Sequence, residues 1–303
     1  MPNTSKNQLH VDTLLSNISI KYRNEQYQAM NLFPELPVKK QSDLYRVYVR
    51  NFRVPDTRRA YKAEAKEHTF EVSSASYVLE KHSLKDHVAD EDADNYDLAD
   101  LRADTTEELS DKLLMRLEKK VLDLLTSTSW SLNLSLAAAG AWNATTTVDP
   151  VAHFDTGTSQ VVLNSGQMVN SAAMGLTQWF ALKNNAQILD RVKYTSATVG
   201  PAIVGALIGV KNLYVGAMSE DTSELGVADA IASMWPDHAF LYYKPDSAGP
   251  LKPSAGYIFR KSTPMTKRWR VEERNADAIE VNMEYIPKVV ASLSGFLIKD
   301  VTA

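Results

Sequence analysis

One long amphipathic segment, residues 105–126, constrains the fold more than any other part of the sequence. Apolar side chains recur there at three- and four-residue steps and form one stripe, which predicts an α-helix that packs on one side. The stripe consists of Leu109, Leu113, Leu117, Val121 and Leu124 or Leu125, and the polar residues largely off it are Glu108, Lys112, Arg116, Glu118, Lys119 and Asp123. With a rise of about 1.5 Å per residue the helix would be roughly 30 Å long, enough to cross a domain. We therefore predict a structural spine.

The start of this helix carries a capping signal. Thr105 is followed three residues later by Glu108, the spacing of a capping box in which each residue satisfies a free backbone N–H of the first turn. We therefore predict that the helix begins at Thr105.

Composition limits the class of protein. The chain has 303 residues, of which 44% are hydrophobic, so it can bury one substantial core or two smaller ones. The absence of cysteine excludes disulfides, thiolate metal ligands and a cysteine nucleophile. Residues 1–10 do not resemble a signal peptide, and no run of about 18 apolar residues occurs, so we expect a soluble protein that is not processed by secretion.

Two neighbouring blocks of opposite charge are more informative than the net charge of −4. Residues 39–66 contain nine basic and three acidic residues, whereas residues 86–104 contain eight acidic residues and Arg102 alone as a basic one. Such blocks can meet within one chain or between copies of it. They can also be two separately solvated surfaces.

The basic block lies between two extended segments. Two prolines, Pro34 and Pro37, favour extended chain after an N-terminal arm, and apolar and polar residues alternate from Leu44 as in a strand. Further extended stretches follow at 69–72 and 77–79. About twenty charged and polar residues separate the two strands, so we predict a long hairpin that is too polar to belong to a core.

The remaining chain predicts a mixture of short helices and strands. Residues 127–149 are typical of a loop, and Asp149-Pro150 is a favourable helix start because aspartate caps a helix and proline tolerates its first position. Asn164-Ser165-Gly166 is most simply the end of that helix. We predict one further helix from Thr177 to Val192, another at 202–208, and strands near 168–174, 213–215, 239–243, 257–259, 269–273, 279–285 and 295–298.

No motif supports catalysis. The six histidines lack metal-ligand spacing, and the aspartates of residues 86–104 lack the glycine and terminal glutamate of an EF-hand loop. Phosphate-binding glycine loops and a Gly-x-Ser-x-Gly motif are also missing. We therefore assign no catalytic, cofactor-binding or metal-binding residue. The basic block also contains four aromatic residues, Tyr45, Tyr48, Phe52 and Tyr61, so a nucleic-acid-binding face stays open as an alternative.

Four segments, in this order, resemble one family of proteins. They are Phe33-Pro34-x-x-Pro37-Val38-Lys39-Lys40-Gln41-Ser42 leading into Tyr45, the segment 179–194 with Ala181-Leu182-Lys183-Asn184-Asn185, the segment Gly209-Val210-x-x-Leu213-Tyr214-Val215-Gly216, and the C-terminal stretch from Arg268-Trp269-Arg270 to Lys299-Asp300. Together they are similar to the Hong Kong 97-type major capsid proteins of tailed bacteriophages. The resemblance covers nearly the whole chain from about residue 30.

The resemblance implies an α+β fold with four parts. These are an N-terminal arm (1–38), an extended E-loop hairpin (39–76), a peripheral domain (77–149 and 273–303) around the spine helix 105–126, and an axial domain (150–272). It also implies a major capsid protein that self-assembles into hexamers and pentamers of an icosahedral shell around double-stranded DNA, in a virion assembled in the bacterial cytoplasm.

In this family the E-loop lies over a neighbouring subunit, so we expect its basic residues to meet an acidic partner. Our hypothesis places the acidic block of an adjacent copy there. The candidate contact residues are Arg50, Arg53, Arg58, Arg59, Lys62, Lys66, Asp90, Glu91, Asp92 and Asp94.

The resemblance also suggests partners other than copies of the chain. A short segment before the E-loop favours a separate scaffolding protein, and a portal and a decoration protein are further expected partners. A slightly acidic shell would let DNA slide without sequence-specific binding, and no membrane contact is expected. An encapsulin-like nanocompartment shell, which shares this fold, is the alternative function, and an α+β enzyme is the alternative from another class.

Overall fold

The computed structural model describes residues 27–48, 52, 54, 56–67, 72–96, 101–127, 130–193, 199–224, 226–249, 252–261 and 265–302. The arm before Tyr27 and the extended chain predicted at 69–71 lie outside the described residues and stay predictions. Within this described part, no helix combines the length and apolar character needed to cross a bilayer.

Short strands and helices alternate along the described chain. The helices are α1 (Ala29–Leu32), α2 (Asp90–Asp94), α3 (Leu101–Thr126), α4 (Pro150–Ser165), α5 (Leu176–Lys183), α6 (Ala186–Val192) and α7 (Pro201–Leu207). The strands are β1 (Glu35–Pro37), β2 (Ser42–Tyr48), β3 (Val72–Val78), β4 (Glu80–Ala89), β5 (Asn133–Ser135), β6 (Ser171–Gly175), β7 (Asn212–Gly216), β8 (Ser219–Asp221), β9 (Ile231–Ser233), β10 (His238–Tyr242), β11 (Gly256–Arg260), β12 (Met265–Val271), β13 (Ala276–Val289) and β14 (Gly295–Lys299). Three short 3-10 turns are Ala138–Gly140, Glu272–Arg274 and Ser292–Ser294.

The long helix α3 confirms the predicted spine but not its predicted start. The helix already includes Leu101, and the Thr105 hydroxyl donates to the Leu101 carbonyl at 2.8 Å, one turn back inside the helix. The predicted capping box at Thr105 and Glu108 is therefore wrong, because the preceding residues are helical. The predicted stripe is largely confirmed. Its fully buried members are Leu113, Leu117, Val121 and Leu125.

The spine helix packs against a sheet centred on the 14-residue strand β13. On one side β13 pairs with β11 and β12, and on the other it pairs with β4 along the full length of β4, from Glu80↔Tyr285 to Ala89↔Ala276. Strand β1 adds to β11 in parallel. The sequence pattern did not predict β4, because most of its side chains are polar.

A second sheet, in the order β5-β14-β10-β6-β7, separates two cores. Along β10 the side chains alternate between them: Phe240 and Tyr242 join the core that includes the spine helix, whereas Leu241 joins the core under α4. The period of two therefore places one core on each face of this sheet. The predicted strands at 213–215, 239–243 and 295–298 are confirmed.

Helix α4 begins and ends as predicted. Asp149 accepts a hydrogen bond from the Val151 backbone N–H at 3.1 Å, Pro150 occupies the first helical position, and Gly166 ends the helix with a φ of 70°. The single helix predicted from Thr177 to Val192 is wrong. It is two helices, α5 and α6, because Asn185 caps the second by accepting from the Gln187 N–H at 2.9 Å.

Candidate functional site

The predicted hairpin is a two-stranded arm that lies apart from both larger sheets. Strands β2 and β3 pair antiparallel from Ser42↔Val78 to Tyr48↔Val72, and no third strand from the described residues joins them. Its root is anchored by aromatic packing, since the Phe259 ring lies 4.7 Å from Tyr77 and 5.2 Å from Tyr45. Beyond this root most described residues of the hairpin are exposed, and even Leu44 is 67% exposed. The Phe52 ring lies beside Gly166 at the end of α4 and remains 53% exposed.

The described part of the loop beyond these strands carries exposed positive charge. Arg58, Arg59, Lys62 and Lys66 are all exposed. Lys66 is partly neutralised by Asp56, whose carboxylate lies 3.1 Å from the ammonium group. The Arg58 backbone N–H also donates to Asp56, and together these contacts hold the pKa of the Asp56 carboxyl below its ordinary value. Arg58, Arg59 and Lys62 make no ion pair with another described residue. Arg50 and Arg53 lie outside the described residues.

Of the four acidic candidates, one is paired with an arginine of its own chain, and three form no ion pair with another described residue. The Asp90 carboxylate accepts two hydrogen bonds of 2.6 Å from the Arg270 guanidinium, so its charge is already matched within the chain. On helix α2 the remaining candidates, Glu91, Asp92 and Asp94, make no ion pair with another described residue. The folded chain therefore presents three of the four acidic candidates to a partner.

Asp277 is the centre of the charged network that holds Asp90. Its carboxylate accepts hydrogen bonds from Arg268 at 2.6 Å and from Arg102 at 2.8 Å, and Arg270 lies 3.9 Å away. The hydrogen bonds from Arg268 and then Arg102 hold the pKa of Asp277 below its ordinary value. The network joins β12, β13 and the first turn of the spine helix, so it fixes the platform from which α2 presents its acidic residues.

Residues 27–38, the described part of the predicted N-terminal arm, form a segment that is docked on the body of the protein. Phe33 is fully buried, and a Cβ atom at Gly256 would lie 2.7 Å from its ring, so only glycine leaves room for this contact. An ion pair between Glu35 and Arg260 adds to the pairing of β1 with β11. Lys244 donates to the Asn31 carbonyl at 2.7 Å, and burial lowers the pKa of Lys244.

Glu118 holds the start of this docked segment. It lies on the spine helix, is 0% exposed, and its Oε2 accepts the backbone N–H groups of Gln28 at 2.9 Å and Ala29 at 2.6 Å. Its other oxygen, Oε1, has no hydrogen-bond partner in the described structure. Burial raises the pKa of Glu118 to about 7 although the two backbone N–H groups lower it.

The sequence pattern placed Glu118 among the polar residues largely off the apolar stripe and did not predict that it is buried. Helical periodicity shows which side of a helix is apolar, but it does not show that a second segment covers the polar side. The spacing of apolar residues could not predict this contact, because the docked segment binds Glu118 through the backbone N–H groups of Gln28 and Ala29. In the described part of the chain, no three His, Asp or Glu side chains lie close enough together to hold a metal ion.

Comparison with known proteins shows which fold this architecture belongs to. The chain is 24% identical to the major capsid protein of Burkholderia phage BcepMu in an alignment that covers 96% of each chain. A crystal structure of a phage-related protein from Bordetella bronchiseptica RB50 has a TM-score of 0.75 at 22% identity, over 96% of this chain and 97% of that one. The capsid of cyanophage P-SCSP1u has a TM-score of 0.64 at 11% identity, over 93% and 90%. No protein-family model matches the chain.

The chain has the fold of phage capsid proteins. The mixed helix and sheet architecture and the capsid fold expected from the sequence are therefore confirmed. Within this capsid fold, the surfaces described above are an open basic hairpin, an acidic helix on a charged platform, and a docked N-terminal segment.

Proposed function

We propose that this chain is a major capsid protein whose copies form the hexamers and pentamers of an icosahedral shell around phage double-stranded DNA. The end-to-end similarity to a major capsid protein carries the proposal, since both chains align over 96% of their length. Its place is then the virion, after assembly in the cytoplasm of the host bacterium.

The extended hairpin supports assembly on physical grounds. An isolated two-stranded hairpin is at best marginally stable in water, and this one exposes apolar residues at both strands, Leu44 and Val78. A neighbouring copy that covers the hairpin would bury these side chains and satisfy the free strand edges.

The available charges support the same contact. We propose that the basic residues of the hairpin meet the acidic helix α2 of an adjacent copy. The basic residues are Arg50, Arg53, Arg58, Arg59, Lys62 and Lys66, and the acidic ones are Glu91, Asp92 and Asp94. Asp90 contributes less, because Arg270 of its own chain already matches its charge. Each exposed pair contributes about 0–1 kcal/mol, so the contact requires several pairs repeated over a lattice.

Charge reversal tests this contact. In Arg58→Glu/Arg59→Glu, we expect a loss of shells, because like charges then face α2. Adding Asp92→Lys/Asp94→Lys should restore attraction and recover shells in electron micrographs. The matched control is Lys112→Glu/Lys211→Glu, which makes the same change of charge at two exposed lysines outside both blocks. Equal assembly of all variants, independent of salt concentration, would contradict the contact.

The proposed role is structural rather than catalytic. A shell of this kind encloses DNA and assembles with other proteins. A net charge of −4 suits a container whose DNA must slide, because a strongly basic lining would bind phosphates and release counterions. Besides copies of itself, we propose a separate scaffolding protein, a portal and a decoration protein as partners.

Negative-stain microscopy of the purified chain tests the function. Closed or aberrant shells are expected, whereas uniform small oligomers would contradict the proposal. A shell that packages enzymes instead of DNA would indicate the nanocompartment alternative.

A further inference from the structure

A separate two-stranded hairpin beside the core that includes the spine helix has exposed apolar residues. It comprises β8, β9 and the described residues of the loop between them, that is, residues 219–224 and 226–233, and is called the knob below. Asp221 closes its loop by accepting the backbone N–H groups of Ser223 at 2.9 Å and Ala230 at 3.0 Å. At its tip Val227 is 65% exposed and Ile231 is 67% exposed. Two carboxylates beside them, Glu224 and Asp229, make the knob acidic.

The root of the knob is rigidly held. Met218, Met234 and Trp235 are buried in the core that includes the spine helix, and Glu220 forms an ion pair with Lys119 of that helix. These contacts at the root and the closed loop order the knob within its own chain, which limits the entropy lost when it binds a partner.

A groove of about 550 Å³ lies on the opposite side of the second sheet from that core. Among its described lining residues are Trp142, Thr145, Thr177, Phe180 and Asn184, and none of the described lining residues is acidic. Trp142 belongs to the core under α4, which lies on the other face of the sheet from the root of the knob. Phe180 is 44% exposed, and the Lys183 ammonium lies 4.7 Å from the centre of its ring.

We infer that the knob of one copy docks into the groove of the next. Val227 and Ile231 would cover Phe180, and Glu224 and Asp229 would face Lys183, so apolar surface and charge both match. Knob and groove lie on opposite faces of one sheet, which produces a head-to-tail contact and hence a closed ring when the rotation closes. The inference rests on the proposed function and names the surfaces that would join subunits within each ring.

The absence of cysteine in the chain permits a direct test by crosslinking. Val227→Cys combined with Thr145→Cys places one thiol on the knob and one in the groove, and Val227→Cys combined with Phe180→Cys tests a second groove position. Disulfides form only when the two Cα atoms approach within about 7 Å, so oxidation reports contact. After oxidation of assembled particles, a non-reducing gel should shift from monomer to a ladder that ends at the ring size.

Single-cysteine proteins show whether the contact is head-to-tail. Val227→Cys alone and Thr145→Cys alone should stay monomeric on the gel, whereas particles assembled from a mixture of the two should produce dimers. Val227→Cys combined with Leu163→Cys, at an exposed residue outside the groove, should produce no ladder.

The outcomes separate this inference from the proposed function. Shells that form without a ladder from either groove position, or dimers from Val227→Cys alone, overturn the knob and groove contact and leave the shell function standing. An unmodified chain that forms no shells counts against the proposed function itself.

Discussion

The buried Trp235 side chain leaves no room for a Cβ atom at two neighbouring positions. Gly175 and Gly216 are paired on β6 and β7. The Trp235 indole lies across Gly216, where a Cβ atom would lie 1.8 Å from the ring, and a Cβ atom at Gly175 would lie 2.8 Å from the Trp235 Cβ and closer still to the Gln178 side chain. Both positions therefore require glycine for close approach rather than for an unusual backbone angle.

We expect Gly216→Ala to destabilise the chain by about 1–3 kcal/mol, because overpacking forces the buried tryptophan to move. Urea denaturation of the unassembled chain measures the change. Gly140→Ala is the matched control, since a Cβ atom there would approach no atom closer than 3.9 Å. Equal stability of both variants would contradict the packing argument.

Glu118 makes docking of residues 27–38 depend on pH. Its pKa in the folded chain is about 7, above the ordinary value of 4.5, so the docked state binds a proton more tightly than the undocked state. Docking is therefore fully stabilised below pH 4.5 and weakens as pH rises through 7. Other titratable groups also touch this segment. Asp111 and Tyr27 hydrogen-bond each other, Lys244 and Tyr242 donate to Asn31, and Glu35 forms an ion pair with Arg260.

Between pH 5.5 and 8 we expect docking to weaken by about 2 kcal/mol, and Glu118→Gln to remove this dependence while its amide oxygen still accepts the two N–H groups. Hydrogen exchange of residues 27–38 against pH measures it. Glu108→Gln, at an exposed residue of the same helix, should retain the dependence of the unmodified chain. A protection factor of residues 27–38 that stays constant between pH 5.5 and 8 in the unmodified chain would contradict the prediction.

At the scale of elements, strands and helices are joined by few strong polar contacts. The network around Asp277 links β12 and β13 to the spine helix, and through Arg270 it also positions α2. Strand β12 depends on it most, because six of its seven side chains are exposed and contribute little apolar burial.

We expect Asp277→Asn to loosen β12, because Arg268 and Arg102 then face each other without a carboxylate. Faster hydrogen exchange of residues 265–271 measures the effect. Since the pKa of Asp277 is lowered in the folded chain, its contribution is present above the ordinary value of 3.8 and is lost in acid. Asp155→Asn, an exposed change on α4, is the control. Unchanged exchange in the Asp277 variant would contradict the role of the network.

At the scale of the whole molecule, stability and assembly are carried by different parts. The two cores lie around the second sheet and the spine helix, whereas the extended hairpin touches the body mainly through Tyr45, Tyr77 and Phe259. The body can therefore fold without the loop at the end of the hairpin.

Replacing residues 49–71 with an Asn-Gly turn between Tyr48 and Val72 should leave the thermal midpoint of the unassembled chain nearly unchanged and abolish shells. Asn-Gly fits a two-residue turn between paired strands. A second variant replaces the same residues with Gly and Ser at the original loop length, so that the loop keeps its length but loses its charged side chains. If these charges make the contact, this variant should also fail to assemble. Normal shells from the shortened variant would contradict the division between folding and assembly.

The sequence alone determined the spine helix, the capped start of α4 at Asp149 and the strands around Leu213 and Phe296, because each depends on local periodicity or a local hydrogen bond. The tertiary structure decided the rest. Strand β4 forms because its backbone pairs with β13, although most of its side chains are polar. Glu118 is buried because the docked segment covers it. Such contacts join residues far apart in the chain, so their energy does not appear in any local pattern.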